Sequence, residues 1–167
     1  SPRLSNEEQA ILTDVGYEPQ TDRAATGILS DHAMRIAASN DPGVEIMPLG
    51  DALRTYDFVQ NLMFGMADPS SHPDLATVAE HMHDPLGHFI WVKPGAKVTL
   101  PVQTFSLIEP PQSRQVTHDV TLIDARAEVE LISGAAAPTR THRGRHISID
   151  ETYLRAGAKC SSVSIER

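Results

Sequence analysis

The chain contains a single cysteine, Cys160, among 167 residues. One thiol rules out an internal disulfide, and a reducing cytoplasm is the expected setting. Aromatic residues make up only 5%, so aliphatic side chains have to fill any core. Basic residues are outnumbered, 14 Lys and Arg against 22 Asp and Glu, for a formal charge of −8. That balance argues against a general nucleic-acid or anionic-membrane surface, which needs a basic footprint. No apolar run approaches the roughly 20 residues needed to cross a bilayer. No signal-peptide pattern is visible, although Ser1 is not an initiator residue. There is no Gly-x-Ser-x-Gly elbow and no phosphate-binding loop of the Gly-x4-Gly-Lys form. Nucleotide hydrolysis would therefore belong to a partner.

What is present is enough for one domain of ordinary size, with 40% hydrophobic residues. The two halves of the chain have different periods. The first 85 residues or so read mainly as helix and loop. In "SNEEQAILTDVG" Ser5 and Glu8 have the spacing of a capping box, Ile11, Leu12 and Val15 share a face, and Gly16 is a stop signal. "VEIMPL" reads as a short strand. "GDALRTYDFVQNLMFGM" carries Leu53, Tyr56, Val59, Leu62 and Met63 at helical spacing. Pro73 marks a further helix start in "SSHPDLATVAEHMH".

From Phe89 onward the pattern is that of strands. Val98, Leu100 and Val102 alternate, and Phe105 and Leu107 continue with a shift of one, which predicts a bulge near Gln103 and Thr104. Val116, His118, Val120 and Leu122 form the next run, Val129 and Leu131 a third, and Ile147, Ile149 and Tyr153 a fourth.

The corners between these strands recur. "GAKV" at 95, "RAEV" at 126 and "GAKC" at 157 are separated by 31 residues and 31 again. Fixed self-similarity of this length marks a repeat architecture. At that offset Val98 falls on Val129 and Cys160, Leu100 on Leu131, Val116 on Ile147, and Leu122 on Tyr153. Like stacks on like, as successive coils of a parallel β-solenoid require, and such crossovers coil right-handed. The expected fold is mainly β with N-terminal helices. It consists of a helical and loop region over residues 1–88 and about two coils of a right-handed parallel β-helix over 89–167. An antiparallel sandwich is the alternative.

Several stretches resemble one known family: "TGILSDHAM", "GVEIMPLGDAL", "YDFVQNLM", "DPLGHFIWVKPGAKVTLPVQTFSLI", "EVELISGAAAP" and "YLRAGAKCSSVSIER". In order and spacing they resemble the SufB/SufD family of iron–sulfur cluster assembly proteins. The resemblance implies a non-enzymatic scaffold on which clusters form transiently. It also implies partners, a SufC-type ABC ATPase and a SufB/SufD paralogue. Members continue for several coils past the position of Arg167 and then into ATPase-binding helices, so this chain is expected to be either a fragment of a longer protein or a remnant of the family. The position of the sulfur-handling cysteine of bacterial SufB proteins corresponds here to Leu154.

Cys160 is read either as a soft ligand for a cluster or as a small core residue in the Val98–Val129 column. His118 alternates with buried positions and reads as a hydrogen-bonded core histidine, with metal ligation alongside His146 as the other reading. His81 and His83, two apart, read as a solvated helix end. Arg140, Arg143 and Arg145 form a local basic cluster in an acidic chain. Glu128 and Glu130 read as a solvated face. A different class of function, a cupin-like mononuclear metalloenzyme, is suggested by His142, His146 and Glu151 in "HRGRHISIDE". The strand "CSSVSIER", with Val163 and Ile165, is expected to mediate a homodimer through the β-helix end.

Overall fold

The computed structural model describes residues 4–17, 22–30, 33–63, 85–107, 115–136 and 146–166. Within them the chain is mainly β, with three short helices. In order these are α1 (Asn6–Thr13), β1 (Ala25–Ser30), β2 (Ala33–Ser39), β3 (Val44–Pro48), α2 (Leu49–Thr55), α3 (Asp57–Leu62), β4 (His88–Val92), β5 (Val102–Leu107), β6 (Gln115–Ile123), β7 (Glu128–Ala136), β8 (His146–Leu154) and β9 (Lys159–Glu166). The strands form two sheets, ordered β2-β1-β5-β7-β9 and β3-β4-β6-β8. From β4 onward the chain alternates between them, and each strand pairs in parallel with the one two elements later. Antiparallel pairing is confined to β1 with β2 and β3 with β4, at one end of each sheet.

The 31-residue step is a register. Phe89 pairs with Val120, Val116 with Ile147, Leu122 with Tyr153, and Val129 with Cys160. The three corners are tight turns, closed by hydrogen bonds from Ala96 N–H to Lys93, Ala127 N–H to Asp124 and Ala158 N–H to Arg155. Their third residues, Gly95, Arg126 and Gly157, all have positive φ, at 74°, 60° and 71°. This is the type II pattern, and Pro94 supplies the preferred second residue of the first turn. The turns also bond to one another: Gly95 N–H donates to Ala125 O and Arg126 N–H to Ala156 O. The recurrence of "GAK" in the sequence is thus a stack of turns, each satisfying backbone groups of its neighbour.

Among the described residues the 31-residue register slips once. Lys97 bridges Glu128, but Val102 pairs with Leu131. Five residues separate 97 from 102 and three separate 128 from 131, so the earlier strand holds two extra residues. The expected pairing of Leu100 with Leu131 is therefore wrong. Leu100 sits in the extra loop and is 43% exposed. The bulge expected at Gln103 and Thr104 is also absent, since β5 runs unbroken and the irregularity falls just before it.

Three apolar groups hold the layers. Between the sheets lie Ala25, Val44, Ile46, Ile90, Val92, Val102, Ile123 and Val129. On the far face of the first sheet, Leu12, Val15 and Tyr17 pack on Ile28, Phe105 and Leu107. On the far face of the second, Leu49, Ala52, Val59 and Met63 cover Phe89 and Val120. Both faces of β1, β4, β5 and β6 are thus largely buried, which explains strands with apolar or small residues at successive positions. His118, Val120 and Leu122, expected to point inward, are buried, but this face packs on helices rather than between the sheets.

The N-terminal half is richer in strands than its periodicity suggested. β1 and β2 pair antiparallel, and β3 matches "VEIMP". The single helix expected over "GDALRTYDFVQNLMFGM" is two, broken at Tyr56, whose backbone is extended. The capping box is present as read: Glu8 N–H donates to Ser5 Oγ at 3.1 Å, and Ser5 N–H to Glu8 Oε1 at 2.9 Å. Glu8 also accepts from Arg35 of β2 at 3.0 Å, tying the helix to the sheet. The helix expected at Pro73, with His81 and His83, lies outside the described residues, as do Arg140, His142, Arg143 and Arg145.

Candidate functional site

Two polar clusters flank the second sheet. The first lies on its helix-covered face. Parallel pairing puts His118 opposite Ile149, so Glu151 on β8 stands diagonally adjacent on the same face. His118 Nε2 is 2.7 Å from Glu151 Oε1, with the side chains 2% and 5% exposed. The Tyr153 hydroxyl contacts both Glu151 Oε2 and the carbonyl of Leu62 at the end of α3. The cluster joins two strands to the helical layer. A carboxylate buried this deeply needs such donors.

The second cluster, not among the sequence expectations, lies on the opposite face and runs from buried His88 to exposed Asp150. His88, Asp119 and Asp150 occupy one row on β4, β6 and β8. Asp119 Oδ1 accepts from the His88 backbone N–H at 2.7 Å and lies 3.0 Å from His88 Nδ1. Asp119 pairs with Asp150 on the next strand, and the two carboxyl groups share a hydrogen bond. Burial works against the charge on Asp119, but the bonds from His88 and Asp150 outweigh it and hold the carboxyl below its usual range. His88 is 3% exposed, and its ring lies over Gly27 of β1. A signal was available in the sequence: 88, 119 and 150 are spaced by the same 31 residues, so the repeat stacks one polar residue on another.

A third cluster marks the corner. Asp124 accepts from Trp91 Nε1 at 3.0 Å, from Arg155 at 3.2 Å and from Ala125 N–H at 2.8 Å. Burial opposes its charge, and these three donors more than compensate, so its carboxyl also titrates low. Glu128, read as solvated, lies between Lys97 and Lys159 at 3.6 and 3.7 Å.

The residues read as ligands are placed separately. Cys160 is on β9 in the first sheet, half-buried, against the core between the sheets. Burial raises its thiol above the ordinary cysteine value. His118 is on the far face of the second sheet, engaged with Glu151. His146 opens β8 opposite Gln115, and only its backbone position is described. Among the described residues no group of three or more His, Cys, Asp and Glu is placed to hold a metal ion. The cupin-like alternative expects antiparallel strands, whereas those from β4 onward pair in parallel, and its Glu151 is bonded to His118 and Tyr153. Among the described residues no helix is long and apolar enough to cross a membrane.

Two mixed sheets, parallel through a 31-residue repeat from β4 onward and with helices against each outer face, define a repetitive β structure with no recognisable catalytic constellation among the described residues. No family model matches the chain. Curated proteins do. One from Methanothermobacter thermautotrophicus, named iron-sulfur cluster assembly SufBD family protein, is 28% identical over 159 residues, 93% of this chain and 39% of its own length. One of the same name from Archaeoglobus fulgidus is 28% identical over 155 residues, 92% of this chain and 41% of its own. Bacillus subtilis iron-sulfur cluster assembly protein SufB matches at 29% over 80 residues, 48% of this chain. The chain is thus similar to curated SufBD family proteins along nearly its whole length. It spans about two fifths of the length of the first two relatives.

Proposed function

We propose that the chain is part of a SufB/SufD-type scaffold for iron–sulfur cluster assembly, itself without catalytic activity. The observation that carries this reading is the similarity to SufBD family proteins over more than 90% of the chain. In this reading residues 89–167 are coils of a right-handed parallel β-helix, and residues 1–88 cap its first coil. The alternation between two sheets, the 31-residue parallel register and the stacked turns support that geometry. A SufC-type ABC ATPase and a SufB/SufD paralogue are the partners, and the ATPase contacts lie in parts of the full-length protein beyond these coils. The setting is cytoplasmic. The cluster is transient, with Cys160 as the proposed soft ligand and His118 and His146 as proposed imidazole ligands. In the full-length protein, a homodimer through the end of the β-helix is part of this proposal.

The test uses the full-length encoded protein, purified anaerobically with its ABC ATPase. Ferrous iron and sulfide should produce a labile visible chromophore that passes to an apo-ferredoxin. Failure to form one, with ATPase binding also absent, would overturn the scaffold reading. Cys160→Ala separates the ligand assignment from the scaffold: a lost chromophore with an unchanged unfolding midpoint supports the ligand role. An unchanged chromophore returns Cys160 to the core.

A further inference from the structure

We draw no further inference here: the strongest candidate, the row of Asp119 and Asp150 carboxyl groups beside buried His88 on the second sheet, carries nothing, because the His88 Nε2 atom, which has no hydrogen-bond partner among the described residues, lies over Gly27 and Asp150 is exposed, so no enclosed ligand site is indicated.

Discussion

The carbonyl oxygen of His118 occupies the space that a side chain at Gly87 would need. A Cβ built on Gly87 would stand 1.7 Å from that oxygen. The approach is fixed from both sides, since His118 N–H donates to Leu86 O at 2.8 Å and Leu49 N–H donates to Gly87 O at 2.9 Å. Backbone cannot retreat as a flexible side chain can. Gly87→Ala should therefore cost about 3 kcal/mol or more, at the upper end of overpacking effects. Urea unfolding measures it. A loss below about 1 kcal/mol would show that β4 and β6 can separate here without penalty.

The stacked turns give a graded prediction. Gly95 and Gly157 both have positive φ. A Cβ at Gly95 meets nothing within 4 Å, whereas one at Gly157 lies 3.3 Å from Arg126 Cγ. Gly95→Ala should cost about 1 kcal/mol from the left-handed backbone alone. Gly157→Ala should cost more, because crowding adds to the same strain. Arg126, in the same conformation without being glycine, should tolerate Asn with little change. Thermal midpoints of the three variants check the ranking, and equal losses at Gly95 and Gly157 would remove the crowding argument.

Those same turns show what was readable in the sequence and what was not. The parallel register from Val116 to Ile147 and from Val129 to Cys160 was legible, because identical corners force identical spacing. The slip at Leu100 was not, because alternation continues through the two inserted residues and only the partner strand reveals them. The β1–β2 pair was obscured because both strands are rich in Ala, Gly and Ser, small residues that fit under neighbouring side chains and carry little periodicity. Of the candidate ligands, burial of His118 followed from its alternation. The His88–Asp119–Asp150 row was implicit in the 31-residue offset, but a search for apolar matches passes over polar ones.

Tyr153 links β8 to the helical layer. Its hydroxyl contacts the Leu62 carbonyl and Glu151, and its ring packs with the group covering Phe89 and Val120. Tyr153→Phe keeps the ring and removes the hydroxyl, leaving a buried carboxyl with one donor fewer. The expected loss is about 1–2 kcal/mol. Hydrogen exchange should show faster opening at Val59 and Met63 than in β7, because the lost bond anchors α3 and not the first sheet. Uniformly faster exchange across both sheets would contradict a local anchor.

Acid should weaken the fold through carboxyl groups held below their ordinary values. Asp119 and Asp124 both titrate below the usual 3.8. A carboxyl with a depressed folded pKa binds protons less readily than in the unfolded chain. Its contribution is complete above the unfolded value and is lost as pH falls through the folded one. Stability should thus be level in this respect above about pH 5 and decline below about pH 4. Asp119→Asn should lower stability at pH 7 and flatten the acid limb. An unchanged acid limb in that variant would show that Asp119 is not among the groups responsible.

Cys160 pairs with Val129 and packs partly against the core between the sheets, yet its strand is only half-covered. Burial disfavours the thiolate and raises the thiol above its ordinary value. The thiolate is the species that reacts, so iodoacetamide should modify Cys160 several-fold more slowly in the native chain than in urea at the same pH. Cys160→Ala removes one sulfur from a partly exposed place in a column of small residues. It should cost about 1 kcal/mol or less, below the range for fully buried truncations. Native alkylation as fast as in urea would mean that β9 frays from β7 on the timescale of the reaction. In that case Gln103 through Leu107 on β5, one strand further in, should still exchange slowly, which separates a frayed edge from global opening.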